Sequence, residues 1–452
     1  MTGRWAPVAI TVALVTAVGV APDAAAVAPP RVDASALPSP APPAPPGPTE
    51  QVGACGPATA APGTSAGGRA QVDRATLATL WNLSRGAGQT VAVIDTGVAR
   101  HRLLPRLTPG GDYVATGDGT QDCDGHGTMV AGIVAASPTD GFAGIAPDAG
   151  ILAIRQSSVE FRRVDGDGTG VGDVRTLAQA IRMAADAGAS VINVSTVACT
   201  PASEPLDDRA LGAALAYAVD VKNVVVVVAA GNTGTDCGPQ NPVRGGSPDW
   251  DDVAVVASPS WYDEYVLTVG SVDAAGRPSA FTLAGPWVDV AAPGEDVLSL
   301  DPSGDGVSDD APVSGTSYAA PVVAAVAALI RARSPELTAR QVMRRIEDAA
   351  VRPTSGWDPL VGHGVLDALA ALSGSGAAPT SAPPTAADRR PDPGPAGRDG
   401  RAVAFWAAAS CIAMGGALTA LMGLGRNPLR RRRRESVADG AGALDPEFGP
   451  AR

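Results

Sequence analysis

The sequence predicts an α/β protein with a doubly wound parallel sheet, helices on both of its faces, and a C-terminal transmembrane helix. Three observations predict it. Thr90–Asp95 and Val224–Ala229 are continuous apolar runs rather than alternating ones, the pattern of strands covered on both faces. Helical segments separate such runs. Thr176–Ala187 carries a stripe of Leu177, Ile181, Ala184 and Ala185 and leads into a strand at Ser190–Ser195, while Asp207–Asp220 leads into Val224–Ala229. This β-α-β alternation implies parallel strands joined by crossover helices. Finally, the 24 positions from Ala402 to Gly425 hold no charged residue, which as a helix rising about 1.5 Å per residue crosses a hydrocarbon core of about 30 Å.

Taken in order, the chain begins with Arg4 and an apolar stretch from Trp5 to Ala21, followed by small-residue cleavage sites at Ala24–Ala28. Residues 1–26 therefore read as a secretory signal peptide. Residues 27–69 form a Pro-rich extension whose tract from Pro29 to Thr49 has too few large apolar side chains to build a core. Residues 70–372 fit one large α/β domain. Within it, Ser334-Pro335-Glu336 reads as a late helix start, with serine as N-cap and proline at the first position. Residues 373–401 are a Pro/Ala/Gly-rich linker, residues 402–425 the span, and residues 426–452 a basic tail. Phe405 and Trp406 stand where aromatic side chains favour the membrane interface, and Arg430–Arg434 mark the cytoplasmic side. The large domain is expected outside the cell membrane and the tail inside. A net charge of −12, from 46 acidic against 34 basic residues, gives no nucleic-acid footprint.

The chemistry concentrates in four glycine-flanked places. Asp95 closes the run Thr90–Asp95, with Gly97 two residues on, so its carboxylate stands at the carboxyl end of a parallel strand, where open α/β sheets place their sites. His126 lies in Asp-Cys-Asp-Gly-His-Gly-Thr-Met-Val-Ala-Gly, a glycine turn feeding a small-residue helix. The other two histidines read as structural: His101 as a loop residue and His363 as a turn residue. Ser317 lies in Ser-Gly-Thr-Ser-Tyr-Ala-Ala-Pro, ahead of a buried apolar helix. That places its hydroxyl beside free backbone N–H groups at the positive end of the helix dipole, a position suited to a nucleophile whose attack creates an oxyanion. Asn232 follows the run Asn223–Gly231.

The order Asp95, His126, Ser317 and the segments VIDTGV, HGTMVAG and GTSYAAP resemble the subtilisin-like serine proteases, or subtilases. The resemblance covers residues 70–372 and implies an Asp-His-Ser triad. Asp95 would orient His126, His126 would take and return the proton of Ser317, and Ser317 would form an acyl-enzyme. Asn232, with the Ser317 backbone N–H, would stabilise the oxyanion. Substrate-pocket walls are expected from Ser195, Thr196, Val197 and the following alanine, and from Ala229, Ala230 and Gly231. These residues are small and mostly apolar, which suggests a modest uncharged side chain in the pocket. No cofactor and no metal is expected.

Finer details point to one branch. A cysteine precedes the histidine by three residues, VINVSTVACTPA replaces the usual Ser-Leu-Gly segment, and Ala257–Asp273 recurs in that branch. With the leader, the Pro-rich spacer and the anchor, the chain resembles the mycosins, the membrane-anchored subtilases associated with type VII secretion in actinobacteria. A single lysine, Lys222, against abundant arginine, alanine and glycine suits a GC-rich genome. The resemblance implies an endopeptidase working beside a secretion membrane complex, or a structural subunit of that complex whose protease site is dispensable. It also implies an N-terminal extension that wraps the domain.

Cys411 lies in the span, leaving Cys55, Cys123, Cys199 and Cys237 on the oxidising side. Four cysteines allow three pairings, and the expected one is Cys55–Cys123 with Cys199–Cys237. The first would tie the extension to the His126 loop and keep it attached after a nick. The second would pin two loops at the rim of the site. Zinc would be the rival use, but the spacings are wide and no histidine accompanies them. The stretch Val164–Asp173 sets Asp165, Asp167 and Asp173 among glycines without the closing glutamate of a calcium loop, and reads as a rim loop.

Overall fold

The computed structural model describes residues 27–55, 68–166, 168, 170–234 and 237–374. The strands, in chain order, are Thr49–Gln51 (β1), Thr90–Asp95 (β2), Leu107–Asp112 (β3), Gly150–Arg155 (β4), Phe161–Arg163 (β5), Val191–Val194 (β6), Ala198–Pro201 (β7), Val225–Ala229 (β8), Val255–Ser258 (β9), Leu267–Val272 (β10), Val290–Pro293 (β11), Val297–Leu300 (β12) and Val307–Val313 (β13). The helices are Arg74–Leu83 (α1), His126–Ala135 (α2), Val174–Asp186 (α3), Arg209–Ala216 (α4), Thr316–Arg333 (α5), Ala339–Ala349 (α6) and Ala368–Ser373 (α7).

Seven strands form one sheet in the order β11-β10-β8-β6-β2-β4-β3, every neighbouring pair parallel. After β2 the chain first lays β3 at the sheet edge and then inserts β4 between the two. It then returns to the other side of β2 through β6, β8, β10 and β11. The switch falls beside β2, and the carboxyl ends of β2 and β6 are Asp95 and Val194. Ligand sites of doubly wound sheets lie at such a switch. Helices α2 and α5 pack together, as do α3 and α4, which gives the sheet its two helical layers. Residues Val91–Ile94 and Val225–Val228 are fully buried, which explains why their sequences never alternate. Helix α5 is buried from Thr316 to Ile330 apart from Ser317.

Several expectations change in detail. The helix expected over Asp207–Asp220 is regular only over Arg209–Ala216 and then widens into a π turn, Tyr217–Val221. The late helix does not start at Ser334. Ser334 caps the C-terminus of α5, its N–H donating to Ile330 O at 2.8 Å, and Pro335 follows as a terminator. Helix α6 opens four residues later on a capping box, in which Thr338 N donates to Gln341 Oε1 and Gln341 N to Thr338 Oγ1. The reciprocal pair satisfies two orphan donors, which Ser334 could not do. His101 is a loop residue but not a solvated one: it is 7% exposed, its Nδ1 accepting from Leu103 N and its Nε2 facing Gly306 O at 3.1 Å.

The Pro-rich extension builds no core of its own, yet it is anchored. Residues 39–46 run along α3, enclosing with it a groove of about 560 Å³, and Arg182 donates to Pro38 O. Further on, β1 pairs antiparallel with β5. The expected signal peptide, linker, span and tail lie outside the described residues. Among the described residues no helix is long and apolar enough to cross a membrane.

Candidate active site

Asp95 ends β2 with no exposure, and its Oδ1 lies 2.6 Å from His126 Nδ1. The same oxygen accepts from Thr96 N at 2.7 Å. His126 is the first residue of α2, delivered by Gly125, whose left-handed φ of 79° favours a glycine. Gly127 must also lack a side chain, because a Cβ there would overlap the Gly97 carbonyl oxygen. These two requirements explain the Gly-His-Gly sequence. The Tyr318 ring packs against the imidazole with centroids 5.2 Å apart.

Asp122, which the sequence did not single out, organises the whole turn. Its two oxygens accept from Thr96 Oγ1, Gly125 N, Thr128 N and Thr128 Oγ1 at 2.6–2.8 Å. Burial pushes its carboxyl up against these donors. Asp124 ties the turn to the rim by accepting from Ser158 Oγ and Val159 N. The pattern Asp-x-Asp-Gly was the available signal, since aspartates ahead of a glycine turn readily bond nearby backbone N–H groups. Burial disfavours the charged imidazolium of His126, but the carboxylates of Asp95, Asp122 and Asp124 outweigh it and raise the His126 pKa.

Ser317 occupies the first turn of α5 and stays partly exposed while its neighbours Thr316 and Tyr318 are buried. It lines the same cleft as His126, a depression of about 690 Å³. In this structure its hydroxyl donates to Ser195 O at 2.9 Å. Asn232 is fixed beside the turn: its Oδ1 accepts from Thr316 N and Thr316 Oγ1 at 3.0 and 3.1 Å. Its Nδ2 lies 3.4 Å from the point a Cβ on Gly315 would occupy.

Of the expected pocket residues, Ser195 and Thr196 line the cleft. Val197 is half-buried against Gly231, while Ala229 and Ala230 are buried behind that surface. Cys55 is bonded to Cys123 and Cys199 to Cys237. Ala54 and Cys123 both line the cleft, so the extension forms part of its wall. Val52 N and Gly53 N donate to Glu160 O and continue the β1–β5 pairing toward it. In the rim loop, Asp165 pairs with Arg163 and Asp173 caps α3, while Asp167 lies outside the described residues. Among the described residues no three His, Cys, Asp or Glu side chains are grouped to hold a metal.

A buried aspartate bonded to a histidine that shares its cleft with a helix-borne serine, on this sheet, has known counterparts. Residues 86–364 match the subtilase family. The chain is 57% identical over 434 residues to Mycosin-4 of Mycobacterium tuberculosis, covering 91% of this chain and 94% of that protein. The chain is a mycosin of the subtilase family. Mycosin-3 of the same organism is 45% identical over 448 residues, with 92% and 95% covered. Among solved structures, the MycP3 protease from the type VII (ESX-3) secretion system superposes with a TM-score of 0.71 at 44% identity, covering 76% of this chain and 99% of that one. A chain of an intact ESX-5 inner membrane complex superposes with a TM-score of 0.69 at 40% identity, covering 88% and 100%. As a mycosin, the chain is a subtilisin-like serine endopeptidase.

Proposed function

We propose that this mycosin hydrolyses peptide bonds through Asp95, His126 and Ser317 and that it does so outside the cell membrane, held there by the helix 402–425. The observation that carries the reading is the 2.6 Å contact of Asp95 with His126 in one cleft with Ser317. His126 Nδ1–H is committed to Asp95, so Nε2 is left as the base for the Ser317 proton. Attack forms a tetrahedral oxyanion at the amino end of α5, where the Ser317 N–H and the Asn232 amide act as donors. His126 then protonates the leaving amine, and water repeats the sequence on the acyl-enzyme. Ser195 and Thr196 form the near wall of the substrate pocket, with Val197 and Gly231 beyond and Ala229 and Ala230 supporting them.

The remaining segments follow the sequence: signal peptide 1–26, extension 27–69, peptidase domain 70–372, linker 373–401, span 402–425 and cytoplasmic tail 426–452. Type VII secretion supplies the working context, since one solved relative comes from the ESX-3 secretion system and another from an ESX-5 inner membrane complex. The test is labelling of the detergent-solubilised full-length protein with a fluorophosphonate probe. Labelling of wild type that disappears in Ser317→Ala and His126→Ala is expected, and labelling that persists in Ser317→Ala would overturn the assignment.

A second reading, structural support of the secretion complex without proteolysis, is favoured by the relative found inside an assembled complex. Secretion that continues in a Ser317→Ala strain would support it. Rapid, indiscriminate digestion of casein would instead point to a general degradative enzyme.

A further inference from the structure

Pro321 sits inside α5. Having no N–H, it leaves the carbonyl four residues earlier, that of Ser317, without its helical donor. A side chain from the central sheet replaces it: Ser195 Oγ donates to Ser317 O at 2.8 Å. The pairing is reciprocal, because Ser317 Oγ donates to Ser195 O.

Behind Ser195 stands Asn193, fully buried in β6 between Val93 and Val227 of the neighbouring strands. Its Nδ2 donates to Ser195 Oγ at 2.9 Å, while its Oδ1 is buried without a hydrogen-bond partner. A half-satisfied amide among valines is an unfavourable use of a central strand position, where a β-branched apolar residue would pack better. What the amide does is set a direction. With Nδ2 donating to it, the Ser195 hydroxyl has one proton to give, and that proton goes to Ser317 O.

We propose that Asn193 and Ser195 are positioning residues for the nucleophile: they supply the hydrogen bond that Pro321 withholds and so fix Ser317 on the first turn of α5. The inference rests on the reading of Ser317 as the nucleophile. Neither residue enters a chemical step.

The test compares fluorophosphonate labelling rates of the full-length protein with kcat and KM on a peptide substrate. The probe has no peptide backbone, so it reads the alignment of Ser317 apart from substrate contacts made by Ser195. Asn193→Ala and Ser195→Ala are each expected to slow labelling about tenfold or more and to lower kcat, and Asn193→Ala, which lies behind the pocket wall, to leave KM within about twofold of wild type. Pro321→Ala restores a backbone N–H facing Ser317 O. Ser195→Ala/Pro321→Ala should therefore label faster than Ser195→Ala alone, a recovery that a merely structural role would not give.

Asn193→Asp reverses the relay once its carboxyl ionises, because Ser195 Oγ–H then donates to the carboxylate. Its labelling rate should fall on the alkaline side, where the wild-type rate holds a plateau. Should the Asn193 variants fail to fold, the Ser195 and Pro321 variants decide the question alone. Labelling within twofold of wild type in Ser195→Ala, or no recovery in the double variant, would overturn the proposal. Labelling of Ser317→Ala would instead remove the reading on which it rests.

Discussion

His126 is held between two opposing effects. Burial resists its protonation, and the carboxylates of Asp95, Asp122 and Asp124 favour it and prevail. Catalysis needs the neutral ring, so kcat/KM should fall as pH drops through a His126 pKa above the ordinary value of about 6.5. A pH–rate profile checks this, and an acid limb centred below that value would contradict the arrangement. Asp95→Asn should leave the fold intact and lower kcat about 10⁴-fold, since the ring then loses the partner that fixes its tautomer. Asn232→Ala should lower kcat by about 10²–10³ with a smaller change in KM, the size found for subtilisin's own oxyanion asparagine. Asp95, His126, Ser317 and Asn232 were legible because each stands in a glycine-bearing turn whose backbone demands are visible locally. Asp122, Asn193 and Ser195 were not read as positioning groups. Ser195 acts on Ser317, more than a hundred positions away, and Asn193 acts on it only through Ser195, while Asp122 joins its own turn to Thr96 on the preceding strand end.

At the scale of elements, the extension is the least conventional part. It is poor in apolar side chains, yet its contacts hold it, among them the Arg182–Pro38 O hydrogen bond, the β1–β5 pairing, the Arg162–Glu50 ion pair at 2.6 Å and the Cys55–Cys123 bond. The bond closes a sequence separation of 68 residues, and the chain-entropy relation gives such a loop about 4 kcal/mol. Cys55→Ser/Cys123→Ser should therefore melt several degrees below wild type, measured by calorimetry under non-reducing conditions. The strands buried on both faces were legible from their continuous apolar runs. The start of α6 was misread because Ser-Pro-Glu imitates a cap, whereas Thr338 and Gln341 close a reciprocal pair. The β1–β5 pairing left no trace in the sequence, since β1 is only Thr49–Gln51 and its partner lies more than a hundred residues on.

Across the whole molecule, pH acts on more than His126. Burial together with Asp263 and Asp348 pushes Glu347 up to about 7, with Arg344 opposing. Burial and Glu264 push Asp263 up to about 6. Burial, Asp263 and Glu347 raise Asp289 well above the usual carboxylate range despite the Thr268 N–H it accepts. A carboxyl raised on folding binds its proton more tightly in the native state. Its contribution is fully present below the unfolded value of about 4 and is lost as pH rises through about 6 to 7. Glu347→Gln should accordingly raise Tm at pH 8 and change it little at pH 5, and equal shifts at both would refute the coupling. The sheet and its switch point were legible from the run-and-helix alternation. This carboxyl group was not, because it gathers residues from three separated parts of the chain.

The Cys55–Cys123 bond has one more consequence. Ala54 and Cys123 are part of the cleft surface, so one wall of the substrate site belongs to a segment that two sulfur atoms fasten in place. On the proposed reading of an exported domain, the newly made chain would meet cytosolic thiols with the N-terminal border of its cleft not yet riveted. Export, on that reading, would supply the oxidant. Crossing the membrane would then be the last step of the enzyme's own assembly, and competence would arrive in the compartment where the protease is proposed to work.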